Sequence, residues 1–251
     1  MSRKFFTLAA AFAGVLLLSG AAVPAMAQSK SGEAAVDPSR GDAVSAPGFY
    51  KTPEVIAFMG LKPGDKVADV VAGRFVRALS QAVGPTGRVY AFEPSEVVKV
   101  HPQVEAMLKG ITAQPDYKNV SVIVDPVNMQ VLPPHLDAVF IRQNYHDLHD
   151  KFMGPADVPA FNREVYAALK PGGVYVVLDH AAAAGSGLSA TDTLHRIDEA
   201  AVKAEVEAAG FKLDAESDVL RNLADPHDKN VFDPSIRGKT DQFLLRFSKP
   251  G

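Results

Sequence analysis

The chain has 251 residues, of which 47% are hydrophobic and 22% charged, with a formal net charge of −3 and no cysteine. This is ordinary globular composition. The charge gives no reason to expect a nucleic-acid partner, the missing cysteine excludes disulfides, and the length suits one domain with its own core.

At the amino terminus, Arg3 and Lys4 precede an apolar run from Phe5 to Leu18 broken only by Thr7 and Gly14, and Ala25-Met26-Ala27 offers a small-x-small cleavage site. Residues 1–27 therefore read as a secretory signal peptide. The run is shorter than the ~20 residues of a membrane span. Ser2-Arg3-Lys4-Phe5-Phe6 differs from a twin-arginine export pattern by Lys4 in place of the second arginine. Cleavage after Ala27 would remove two cations and no acid. The expected location is periplasmic or secreted, with no stable membrane insertion after cleavage. Residues 28–48, poor in large apolar side chains, form a flexible lead, and the domain occupies 49–251.

Thr52-Pro53-Glu54 has the makings of a helix start, with a capping hydroxyl, a proline in the first turn and an acid beside it. Gly60 is its stop. Apolar strands and amphipathic helices then alternate. Strands are predicted at Lys66 to Val71, Arg88 to Phe92, Val120 to Val124, Leu136 to Arg142 and Val174 to Leu178. Helices are predicted at Phe75 to Val83, Val97 to Lys109, Val158 to Leu169 and Asp198 to Ala209. Phe211 to Leu220 and Gln242 to Phe247 read as closing strands. Short Val-rich runs separated by helices predict a parallel sheet buried on both faces.

In such a sheet, ligands lie beyond the carboxyl ends of the strands. That rule selects Gly73 and Arg74, Glu93, Asp125, the run Asn144 to Asp150, and Asp179 with His180. Glu93 ends the second strand twenty residues after Gly73, where an acid can accept both hydroxyls of a ribose; it could equally cap the next segment. Asp125 could read an adenine amine or serve as a turn residue. Within Asn144-Tyr145-His146-Asp147-Leu148-His149-Asp150, His146 could act as a general base, Asp147 could orient it, and Tyr145 could contact an acceptor. The same polar residues could merely cap their own turns. A rival reading places a metal on His146, Asp147, His149 and Asp150, with His180 as a further ligand, although the spacing matches no standard metal motif and no ligand is assigned on it. His180, and His195 with Arg196 before the last long helix, flank the same cleft. Leu223 to Thr240 is either a surface excursion or a lid.

The order Asp69…Gly73, "VYAFEP" at Val89 to Pro94, "LDAVFIRQNYHDLHD" at Leu136 to Asp150, "LKPGGVYVVLDH" at Leu169 to His180 and "EVEAAGF" at Glu205 to Phe211 resembles the class I S-adenosylmethionine-dependent methyltransferases. More narrowly, "NYHDLH" at Asn144 to His149 and "HRIDEAAVKAEVEAAGF" at His195 to Phe211 resemble an exported bacterial branch of them. The resemblance covers about Phe49 to Pro250. It implies a Rossmann-like α/β fold, with a seven-stranded, mostly parallel sheet, one antiparallel strand and helices on both faces. It implies S-adenosylmethionine as cofactor, held by Asp69, Gly73, Arg74, Glu93 and Asp125. His146, Asp147 and Tyr145 would be catalytic, and Asn144, His180 and His195 would bind a small-molecule substrate.

Two features depart from that family. Its members carry glycines where this chain has Val71 and Phe75, leaving Gly73 alone in a short, glycine-poor turn. Glycines let backbone N–H groups approach a ligand, so Phe75 would intrude unless it turns into the core. Arg74 could pair with the cofactor's carboxylate or repel its sulfonium. The second departure is the leader, since S-adenosylmethionine is a cytoplasmic metabolite. The reading favoured by the sequence is a small-molecule methyltransferase. A non-catalytic small-ligand-binding protein on the same fold is the alternative, and a metal-assisted hydrolase the third.

Overall fold

The structure is a computed structural model and describes residues 51–251 apart from Arg74, Gln130 and Pro155. The expected leader, the lead segment and Arg74 thus lie outside the described residues. Seven strands are described: β1 (Lys66–Val70), β2 (Arg88–Pro94), β3 (Val120–Asp125), β4 (Leu136–Arg142), β5 (Leu169–His180), β6 (Lys212–Ser217) and β7 (Gln242–Ser248). They form one sheet in the order β3-β2-β1-β4-β5-β7-β6. β1 pairs in parallel with β2 and β4, β2 with β3, and β4 with β5, while β7 runs antiparallel to β5 and β6. Six strands therefore share one direction and β7 opposes them, as expected.

The helices are α1 (Thr52–Met59), α2 (Val76–Val83), α3 (Ser95–Val100), α4 (Gln103–Thr112), α5 (Val158–Ala168), α6 (Thr191–Leu194) and α7 (Glu199–Ala208). Alternate strand residues feed two cores. Val67, Ala91, Phe140 and Leu178 pack with Val55, Leu79 and Leu108 of α1, α2 and α4. Val70, Phe92, Ile141 and Val177 pack with Phe161, Val165 and Val202 of α5 and α7 on the other face. With both faces covered, the central strands β1, β2 and β4 read as nearly continuous hydrophobic runs.

The differences from expectation are local. The helix predicted over 97–109 is two helices, because Pro102 lacks an N–H and biases its predecessor away from the helical region; His101 stands at φ −132°, ψ 66°. Thr52 lies inside α1 and makes no capping bond, whereas Gly60 ends that helix at φ 73° as predicted. β5 begins earlier than expected, at Leu169, and β6 is shorter than its predicted range. At the entry to β2 a Cβ on Gly87 would lie 2.5 Å from the Val83 Cβ and 2.7 Å from the Asp65 carbonyl. Only glycine lets this turn close, and its closure sets where β2 starts and so where Glu93 ends up.

Sequence order reverses between β1 and β4, so the crevice beyond their carboxyl ends is the topological switch point. The residues singled out by sequence occupy that end of the sheet.

Candidate functional site

β1 delivers Asp69 to the start of the turn, and β2, paired with it in register Asp69↔Ala91 and Val70↔Phe92, delivers Glu93 next door. Both side chains are buried, Asp69 at 2% and Glu93 at 0% exposure. The Asp69 carboxylate accepts a long hydrogen bond from the Gly73 N–H, 3.4 Å. Burial pushes the Asp69 carboxyl up to about 7, against the pull of the Gly73 N–H and the Arg142 charge. Glu93 is also pushed well above the usual carboxylate range, first by burial and then by the Asp69 charge. Among the described residues neither Glu93 oxygen makes a well-aligned hydrogen bond, and only the Ala72 N–H pulls the group back down. A buried carboxylate left unpaired is costly and calls for donors.

The turn between them is unusual. Val71 sits at φ 52°, a left-handed conformation that is an outlier for a β-branched residue, at one of the positions where the resemblance implies glycine. A Cβ on Gly73 would meet nothing within 4 Å. Phe75 does not project outward. It is buried, belongs to the core beneath α2 and packs on Phe140 with ring centroids 5.2 Å apart, the Arg142 guanidinium covering its ring at 5.5 Å. Asp125 ends β3 in register with Pro94 and is half-buried.

β4 and β5 deliver the second group. His146 begins a short 3-10 turn, His146–His149. Its backbone N–H donates to Asp179 Oδ2 at 2.9 Å, and its Nδ1 lies 2.9 Å from Asp179 Oδ1. Since a carboxylate only accepts, Nδ1 is the donor, and Nε2 points the other way, 3.2 Å from Asp147 Oδ1. Asp147 Oδ2 accepts from Asn144 Nδ2 at 2.6 Å. His195 Nδ1 lies 3.9 Å from Asp147 and 4.0 Å from Asp150. Burial alone would lower the basicity of His146, but the Asp179 and Asp147 carboxylates outweigh it and push the ring well above its usual value. Asp147, raised by burial, is held well below the carboxylate range by the His146 charge and by hydrogen bonds from His146, His195 and Asn144. Burial and the Asp147 charge push Asp150 up to about 6. His180 is the opposite case. Burial, then the cationic neighbours His146 and Arg196, drive it well below its usual value, so it is neutral, with Nδ1 2.8 Å from the Thr240 hydroxyl.

A roof covers this group. Arg196, fully buried, pairs with Asp225 at 2.8 Å and donates to the Ala181 and Lys229 carbonyls, each at 2.9 Å. The Val231 N–H donates to the Leu194 carbonyl, and the Phe232 ring lies 5.1 Å from the His195 ring. The 223–240 segment is thereby bonded to the loop that carries His195. Asp198 caps α7 through Ala200 N–H with one oxygen and gathers the Gly185 and Gly187 N–H groups with the other.

Asp69, Gly73 and Glu93 meet at the carboxyl ends of β1 and β2, and His146, Asp147 and His195, with Asn144 and His180 alongside, beyond those of β4 and β5. Tyr145 does not join them. It is fully buried between α5 and α7, where its hydroxyl donates to Glu205 and accepts from Asn162, so the contact with an acceptor expected of it is corrected to a structural role. His146 stands where the general base was expected, with its two ring nitrogens set between the Asp179 and Asp147 carboxylates. His149 also turns aside, to Glu205 at 3.2 Å. Sequence reasoning missed Asp179 as the residue that orients His146, although its place at the end of β5 was visible. It also missed Glu205 and Asp225, which carry no local signal.

No known family model matches the chain, and no curated protein does. Solved structures do. An S-adenosylmethionine-dependent methyltransferase from Aquifex aeolicus superposes with a TM-score of 0.60 at 22% identity, over 85% of this chain and 99% of that one. The chain has the class I methyltransferase fold. The [4+2]-cyclase SpnF matches with a TM-score of 0.58 at 19% identity, over 80% of each chain. A TehB-like S-adenosylmethionine-dependent methyltransferase from Corynebacterium glutamicum matches with a TM-score of 0.54 at 14% identity, over 84% of this chain and 95% of that one. At these identities the likeness carries the fold and leaves activity to the site.

Proposed function

We propose that this protein is an S-adenosylmethionine-dependent methyltransferase acting on a small molecule, exported as its leader implies. The observation that carries the proposal is Glu93: a buried carboxyl at the switch point whose two oxygens make no well-aligned hydrogen bond among the described residues. The two hydroxyls of a ribose supply the two donors it lacks. Asp125, at the neighbouring strand end, would face the adenine, and Asp69 with Gly73 and Arg74 would flank the amino-acid portion. The cofactor supplies a methyl group on a sulfonium. The chain's own part is to hold an acceptor in line with it and exclude water, which is positioning rather than acid–base chemistry. Asn144, His146, Asp147, His180 and His195 stand on the acceptor side.

A specific observation also favours the second reading, ligand binding without turnover: His146 is buried, with a carboxylate at each ring nitrogen. The [4+2]-cyclase among the structural neighbours illustrates that the fold is not tied to one reaction.

Calorimetry with S-adenosylmethionine and S-adenosylhomocysteine on the purified protein tests both readings. Binding of either at micromolar concentration is expected. Glu93→Ala should weaken it about tenfold or more, the loss of a charge-assisted pair of bonds. Absence of heat at millimolar ligand removes the cofactor assignment. Binding without methyl transfer to any of a panel of hydroxyl, amine and thiol acceptors selects the second reading.

A further inference from the structure

The geometry points to a closed, four-ligand zinc site formed by His146, Asp147, Asp150 and His195. Each residue offers one ligand atom, and the four atoms lie within 4.8 Å of one another. The residues are buried, at 1%, 1%, 1% and 6% exposure. In each of them one buried polar atom makes no well-aligned hydrogen bond, His146 Nε2, Asp147 Oδ1, Asp150 Oδ1 and His195 Nδ1, and two of these atoms, His146 Nε2 and Asp147 Oδ1, stand 3.2 Å apart. A single orphaned polar group is uncommon in a folded core. Four of them converging on one point are explained by a cation that all four bind.

The surroundings are those of a metal centre. Asp179 accepts from His146 Nδ1 at 2.9 Å, which fixes the tautomer and leaves the Nε2 lone pair facing the cluster. Asn144 holds the outer oxygen of Asp147 at 2.6 Å. Carboxylates and amides in this outer position orient metal ligands and raise their basicity. A tetrahedral zinc shell with bonds near 2.1 Å has edges of about 3.4 Å. His146 Nε2 and Asp147 Oδ1 already stand 3.2 Å apart, and His195 Nδ1 is 3.9 Å from Asp147 Oδ1. The widest separations, up to 4.8 Å, must close by as much as about 1.4 Å to complete the shell.

The donor set selects the ion. Magnesium and calcium take all-oxygen shells, whereas two imidazoles with two carboxylates suit a first-row transition ion. Four protein ligands without a surface-exposed member make a closed, structural site, of the kind zinc occupies. Its effect would be mechanical. His146, Asp147 and Asp150 belong to the turn after β4, and His195 to the loop after β5, so the ion would clamp the acceptor-side turn to the roof held by Arg196. None of this depends on the methyltransferase proposal.

The rival occupant of the same space is a proton on His146, shared between Asp147 and Asp179, which needs no metal. Chelator-treated protein titrated with cobalt(II) and with zinc(II) separates the two. Expected are one equivalent of cobalt per chain with a visible four-coordinate absorption band, displacement of cobalt by zinc, and a zinc-dependent rise in melting temperature of several degrees. Asp150→Asn and His195→Gln should abolish the band and the rise. If either variant fails to fold, the wild-type chain alone decides: no cobalt band and no zinc-dependent shift overturns the site. Stoichiometric binding kept by both variants overturns it as well, because the ion then sits elsewhere.

Discussion

Asp69 shows how far the turn after β1 departs from solvent chemistry. The unfolded chain releases the proton of this carboxyl near 3.8, and the native state near 7. Between those values the native state binds the proton more tightly, so the contribution of Asp69 to stability is largest at low pH and is lost as pH rises through that window. For a shift of this size the loss is at most about 4 kcal/mol. Asp69→Asn has no proton to lose. Its unfolding free energy in urea, relative to wild type, should therefore climb between pH 5 and pH 8, and a difference that stays flat over that range would show that Asp69 titrates as an ordinary carboxyl. Residue by residue, the sequence was most informative where strand position alone decides placement, as for Glu93. It was least informative where the backbone does something a side chain conceals. Nothing in the letters announces that Val71 adopts φ 52°, or that Phe75 turns inward to Phe140 instead of obstructing the crevice.

The elements were legible because α/β periodicity is local. The metal-like cluster was not, because it is assembled by topology. His146, Asp147 and Asp150 share one short turn, and a sequence-based search for ligands looks to its neighbours, His149 and His180. The structure turns His149 to Glu205 and ties His180 to Thr240, and brings in His195 from beyond β5. The segment from Leu223 to Thr240 is a similar case. Its composition left an excursion and a lid both open, and Arg196 ties it to the loop after β5. The guanidinium, itself fully buried, pairs with Asp225 and donates to the carbonyls of Ala181 and Lys229. Breaking a buried pair of this type costs about 3–5 kcal/mol, because its partner is left charged and alone. Arg196→Ala should therefore lower the unfolding free energy by that order. Hydrogen exchange should accelerate first across 223–240 and the 181–195 loop, with the β1–β4 amides unaffected below the global transition. Protection of 223–240 equal to wild type would mean that the segment is held by other contacts.

For the whole molecule, stability and location bear on each other. The two core layers rest on packed hydrophobic side chains, and the chain contains no cysteine. Folding is thus indifferent to redox conditions, and an oxidising compartment neither helps nor harms it. Among the described residues, no helix is long and apolar enough to cross a membrane. The proposal of export rests on Arg3, Lys4, the Phe5 to Leu18 run and Ala25-Met26-Ala27, which together have the three parts of a cleavable leader. Expressed from its own start codon in a bacterium, the protein should be recovered from the extracytoplasmic fraction with Gln28 as its first residue, by intact mass and amino-terminal sequencing. Its urea midpoint should be the same with and without a thiol reductant. Recovery of a cytoplasmic chain that still begins at Met1 would remove export from the proposal. It would also remove the conflict with a cytoplasmic cofactor supply, leaving the buried Glu93 carboxyl as evidence on the cofactor that no longer has to be reconciled with location.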